Sequence, residues 1–147
     1  MTPQQRADAT KDLMFAQDST AQHLGIEVQA IRPGFARLQM TVRKEMTNGH
    51  GMCHGGYIFI LADTAFAFAC NSRNQRAVAA GAQIEFLAPA QLAEQLYAEA
   101  TEQHLAGRSG LYDVRVTRGH QGTTELIALF RGKSATIKGQ FFEEPNS

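Results

Sequence analysis

Across residues 26–42, "IEVQAIRPGFARLQMTV", apolar side chains fall on every second position. Ile26, Val28 and Ala30 precede Pro33-Gly34, and Ala36, Leu38, Met40 and Val42 follow it. A period of two marks strands with one buried face, and a Pro-Gly pair supplies the preset φ and the positive φ of a tight turn, so the segment predicts a β-hairpin. The period then disappears. Residues 57–70 are nearly all apolar, and Tyr57, Ile58, Phe59, Ile60, Leu61, Phe66 and Phe68 surround a helix of about residues 55–71 without leaving a polar stripe. Alternation returns with Val78, Ala80, Ala82, Ile84 and Phe86, expected on one side of a strand that Pro89 ends. "EQLYAEATEQHL", "GLYDVRVTR" and "TTELIALFRGKSATI" complete a meander through the turn-rich segments "AGRSG" and "GHQG".

Upstream of the hairpin, Thr2, Pro3 and Gln5 have the spacing of an N-cap, a first helical residue and a capping-box partner, predicting a helix over about 3–17. Ser19 and Gln22 repeat that spacing, and Gly25 is the expected stop of a single further turn. No repeat, low-complexity tract or linker interrupts residues 1–147, and only the tail "EEPNS" looks loose. The pattern is that of one α+β domain. A helix apolar on all sides must be covered on all sides, so an antiparallel sheet of five to six strands is expected to wrap around it. A second copy of the molecule then covers what one sheet leaves open.

Composition narrows the function. Hydrophobic residues make up 44% and charged residues 19% of 147, as in a folded globular domain, and the formal net charge of zero lacks the basic excess of a nucleic-acid binder. The apolar run is shorter than the roughly 18 residues that a membrane span needs and contains Asp63, so it reads as a core helix. The N-terminal residues have no apolar secretory region, and the two cysteines, Cys53 and Cys70, do not make a disulfide framework. A cytoplasmic protein with reduced thiols is expected.

The chemistry concentrates in "NGHGMCHGGYIFILADTAFAFACN", residues 48–71. Two glycines opening a helix leave room for a ligand to reach its free N–H groups, and the helix dipole adds positive potential there. A carbonyl becoming an oxyanion would be stabilised at such a point. Asp63 lies eight residues past Gly55, about 12 Å along a helix, whereas reacting atoms must approach to roughly 3–3.5 Å. Asp63 and Gly55 of one subunit therefore cannot serve one substrate. A two-fold dimer with antiparallel central helices brings Asp63 of each subunit to Gly55 of the other and creates two composite sites.

Plainer roles stand beside these. Asp63 can pair with a base, His54 can cap the helix, Asn48 can be the turn residue before Gly49, and the Thr64 hydroxyl can bond back to its own helix. His50, Cys53 and His54 have no second cluster to complete a metal site, so no metal or other cofactor is expected. "GHGMCH" lacks the last glycine of a dinucleotide fingerprint, and "GKS" has Ile127 where a phosphate-binding loop needs glycine. Arg108, Arg131 and Lys133 are candidate contacts for a nucleotide phosphate.

"MTNGHGMCHGGYIFILADTAFAFACNS", "IEFLAP", "GLYDV" and "LFRGKS" resemble the hotdog-fold acyl-CoA thioesterases of the phenylacetate-degradation (PaaI) type, over Leu24 to Ser134. The resemblance implies a hotdog fold and hydrolysis of an acyl-CoA thioester, with an aryl or medium-sized acyl group such as (hydroxy)phenylacetyl. It assigns Asp63 to act on the thioester, either as nucleophile or as general base for water. It assigns the Gly55 backbone N–H to the carbonyl oxygen, and Asn48 and His54 to the polar lining. Thr64, Arg108 and Arg131 are the further expected substrate contacts. A homotetramer built as a dimer of dimers, with coenzyme A at a subunit interface, is implied as well. The alternatives are a hydratase or dehydratase of the same fold, and a non-catalytic acyl-CoA-binding regulator in which Asp63 is structural.

Overall fold

The computed structural model describes residues 1–120 and 123–145. Helix α1, Pro3–Gln17, starts as its sequence predicts, with the Thr2 side chain accepting from the Gln5 N–H and the Gln5 side chain returning to the Thr2 N–H. The short α2, Ser19–His23, differs from expectation. Its N-cap is Asp18, whose carboxylate accepts the Ala21 N–H at 2.9 Å, while the Gln22 side chain donates to the Phe15 and Ala16 carbonyls. Asp caps as well as Ser, and standing one residue earlier it also joins the two helices. Gly25, at φ +69°, ends the turn.

Strands β1 (Glu27–Arg32) and β2 (Phe35–Thr41) form the expected hairpin about Pro33-Gly34, with Gly34 at φ +76°, but a register shift between Val28 and Ala30 sets Ala30 opposite Arg37 and gives the core position opposite Ala36 to Ile31. The central helix α3, Gly55–Cys70, follows. Four strands come after it: β3 (Ala77–Phe86), β4 (Gln95–Ala106), β5 (Ser109–His120) and β6 (Thr123–Thr136). They join the hairpin in one antiparallel sheet of order β1-β2-β4-β5-β6-β3. Only β4-β5-β6 is a meander. The chain crosses the sheet through α3, so that β3 pairs with the last strand and stands at the edge, while β4 pairs with β2. In the "GHQG" turn, Gln121 and Gly122 lie outside the described residues, as do Asn146 and Ser147 of the tail. The rest of that tail is anchored, because Glu144 pairs with the Arg6 guanidinium of α1.

The edge strand corrects one expected alignment. A bulge at Ala80 breaks the pairing between Ala79 and Gly81: Val78 lies opposite Ala135, whereas Ala82, Ile84 and Phe86 lie opposite Gly132, Phe130 and Ala128. One extra residue reverses the side-chain parity, so Val78 does not share a face with the other three.

Helix α3 lies across one face of the sheet and touches all six strands. Ile58, Leu61, Ala62, Ala65, Phe66, Phe68 and Ala69 are buried there with Leu38, Met40, Leu96, Val114, Val116 and Phe130. The fit is close at Gly132, where a methyl group would fall 2.9 Å from three ring atoms of Phe66. The opposite side of α3 is open. Gly56, Ile60, Asp63, Ala67 and Cys70, spaced three or four residues apart on one face, are partly or fully exposed. Nearly all of β3 is exposed too, with its outer edge unpaired. No helix among the described residues is long and apolar enough to cross a membrane. Because Phe66 fills the space above Gly132, Gly132→Ala should cost about 1–3 kcal/mol of stability, read as a lower urea midpoint. An unchanged midpoint would show that the core yields there at no cost.

Candidate active site

The segment leading into α3 is shaped by its own polar groups. The Asn48 side-chain oxygen accepts the N–H groups of His50 and Met52 at 2.9 and 3.2 Å, and the Asn48 N–H donates to the Met52 carbonyl. Gly51, at φ +75°, closes the loop by donating to the Asn48 carbonyl. Asn48 is therefore the turn-forming residue of this loop. The Cys53 N–H donates to Ala90 and the His54 N–H to Met46, which fixes where the chain enters the helix. His54 is the N-cap residue, yet its side chain makes no capping bond and is exposed. Among the described residues, the N–H groups of Gly55 and Gly56 meet no acceptor, as the first groups of a helix do when no side chain caps them.

These N–H groups lie beside a cleft of about 490 Å³ lined by Asn48, Met52, Cys53, Gly55, Ile58 and Phe86 and closed by the segment 87–89. The Phe86 ring rests on Gly55, where a methyl group would come within 2.8 Å of the ring, so a side chain at this position would have to displace that ring. The far wall is tied down by Arg118 at the end of β5. Its guanidinium donates to the Pro89 carbonyl at 2.9 Å, to both Glu94 oxygens at 2.8 and 3.0 Å, and to Glu125 at 2.6 and 2.9 Å. Glu94 in turn accepts the Gln91 N–H at 2.6 Å. A fork of donors shared among a carbonyl and two carboxylates holds the segment 89–94 in one position.

The fold brings Asn48 and Gly55 to this cleft, with His54 adjoining, and places the other candidates elsewhere. Asp63 is half-buried on the open face of α3 and does not line the cleft of its own chain; eight helical residues separate it from Gly55 by about 12 Å. No ion pair or hydrogen bond to Asp63 exists among the described residues, and burial raises its pKa above the ordinary carboxylate value. Thr64 is buried and its hydroxyl donates to the Ile60 carbonyl at 2.7 Å. Arg108 is exposed in the β4–β5 turn. Arg131 lies on the outer face of the sheet in a two-bond pair with Asp113, which holds that carboxyl below its ordinary range. The Cys53 thiol is pushed up to about 11 and that of Cys70 to about 12, both chiefly by burial, so neither is an activated nucleophile near neutral pH.

Sequence reasoning missed the apolar lining and the clamp. Alternation marks Phe86 only as one more member of a strand, and Arg118 only as the end of another. Nothing in the spacing of Arg118, Glu94 and Glu125 announces that they meet. Arg118→Met should therefore cost about 1–3 kcal/mol by chemical denaturation, while Arg131→Met, which breaks an exposed pair, should cost less than about 1 kcal/mol. Equal costs would contradict the clamp.

A model of the thioesterase superfamily matches residues 50–125. The acyl-coenzyme A thioesterase PaaI of Escherichia coli K12 is 45% identical over 126 residues, spanning 86% of this chain and 88% of that protein. The solved structure of E. coli PaaI, from the phenylacetic acid degradation operon, superposes with a TM-score of 0.90 at 41% identity, covering 95% of this chain and 99% of that one. A mutant of the phenylacetic acid degradation protein PaaI from Thermus thermophilus gives a TM-score of 0.75 at 34% identity, covering 82% of this chain and 100% of that one. The six-stranded sheet with its packed helix is the hotdog thioesterase fold. With a helix end open to a cleft, an acid on that helix and these relatives, the chain belongs to the thioesterase superfamily.

Proposed function

We propose that this chain hydrolyses an acyl-coenzyme A thioester to the free acid and coenzyme A, at a site assembled between two copies. The observation that carries the reading is the division of α3. Its first residue, Gly55, with a free N–H, lines a cleft, while the unpaired Asp63 stands on its uncovered face, out of reach of that cleft. Two antiparallel copies of α3 join what one copy separates. The unpaired edge of β3 supports the same arrangement, since an exposed ten-residue edge strand is a template for a partner strand. The relatives' acyl-CoA and phenylacetate chemistry supports an aryl or medium-sized acyl group such as (hydroxy)phenylacetyl. The same reading has the enzyme acting in the cytoplasm as a dimer of such dimers.

In this mechanism the thioester carbonyl oxygen accepts the Gly55 N–H, which gains strength as the oxygen becomes an oxyanion. Asp63 of the other copy, ionised, either attacks the carbonyl carbon or takes a proton from the water that attacks. Net, a C–O bond forms and the C–S bond breaks. Water supplies the hydroxyl to the acid and the proton to the departing coenzyme A thiolate. Asn48 and His54 border the oxyanion position, with Thr64 behind Asp63. Arg108 and Arg131 are surface cations for the nucleotide.

Burial raises the Asp63 pKa because the charged form loses hydration. In the native state this carboxyl holds its proton to higher pH than in the unfolded chain, so its ionisation lowers stability as pH rises through that raised pKa. Asp63→Asn should therefore cut kcat by about 10²–10⁴-fold, yet raise Tm at pH 7, with the gain fading as pH falls through the raised pKa and gone once pH reaches the ordinary carboxylate value. Activity retained in this variant would remove Asp63 from the reaction. Mixing Asp63→Ala with Gly55→Val subunits should restore about a quarter of wild-type activity, since half of randomly paired dimers hold one intact site of two. Recovery of none would contradict the composite site.

A further inference from the structure

Phe86 ends β3 opposite Ala128, two residues beyond Ile84 opposite Phe130, so its ring projects on the face of the sheet that carries α3. Phe130 on that face is buried, but Phe86 remains 52% exposed. It does not simply extend into solvent. Its ring atoms Cζ, Cε1 and Cε2 lie 2.8, 3.1 and 3.3 Å from where a methyl group on Gly55 would be, and the ring lines the same cleft as Met52 and Ile58. An exposed aromatic surface at the helix end is thus seated against Gly55, whose backbone N–H has no acceptor among the described residues.

We propose that Phe86 sets the acyl-group preference of this enzyme; the inference rests on the acyl-thioester reading above. A carbonyl bonded to the Gly55 N–H has its carbon within van der Waals reach of the ring that covers Gly55, so the first carbons beyond the carbonyl pack on Phe86. An alkyl chain gains only apolar contact there. A planar ring one or two bonds from the carbonyl gains an offset or edge-to-face aromatic pair as well. The rest of the apolar wall, including Met52, Ile58 and Leu87, contains no second aromatic ring.

The test compares kcat/KM for phenylacetyl-CoA and octanoyl-CoA, whose acyl groups have equal numbers of carbons, in wild type, Phe86→Leu and Phe86→Tyr. Phe86→Leu should lower the aryl-to-alkyl ratio by about 2- to 10-fold, and Phe86→Tyr, which keeps the ring, should preserve it. A ratio unchanged in Phe86→Leu, or an equal loss on both thioesters, overturns the inference and leaves Phe86 a packing residue. A folded wild-type protein that releases thiol from neither thioester overturns the acyl-thioester reading itself, and this inference with it. The two failures differ because the second appears without any variant.

Discussion

The burial of α3 is the constraint from which the site follows. A helix with Ile58, Leu61, Phe66 and Phe68 on its sheet-facing side gains about 2 kcal/mol for each such side chain removed from water, more than any single polar contact in the molecule can offset. That packing fixes the helix axis across the strands, and fixing the axis fixes both of its ends. The N-terminal end must emerge where β3 finishes. There, Gly55 meets Phe86, and a side chain at 55 would have to displace that ring. That close approach favours a weak helix former at the first position of a long helix, while the free N–H beside the cleft follows from the uncapped helix start.

The polar network around that end acts on the loops rather than on a substrate. Asn48 folds the segment before the helix through two backbone N–H groups, and Arg118 holds the opposite wall through Pro89 and Glu94. The Cys53–Ala90 hydrogen bond and the Met52–Gln91 bridge join the two segments. These ties hold the loop before the helix against the wall opposite it. Asn48 shows that the plain and the functional roles are compatible, since its oxygen builds the turn while the residue lines the cleft.

Asp63 is the costly element. It has no partner among the described residues, and its ionisation is opposed by burial, on a face otherwise composed of small and apolar residues. A purely structural acid would be paired.

Much of this was legible in the chain itself. The capping box at Thr2, the Pro33-Gly34 turn, the limits of the central helix within one residue and the strand segments after it all rest on local chemistry, in which neighbours in sequence satisfy one another. The eight-residue separation of Gly55 and Asp63 was equally plain, because helical rise is fixed. What lay beyond reach depends on groups distant in sequence. The bulge at Ala80 is set by pairing with β6, Phe86 finds Gly55 only because β3 and α3 are packed together, and Arg118 gathers Pro89, Glu94 and Glu125 from three segments. Sequence determined which residues form helix and strand and which family pattern the chain carries. Tertiary structure alone decided which of them meet, because contacts across the sheet depend on register and packing, which no local spacing encodes.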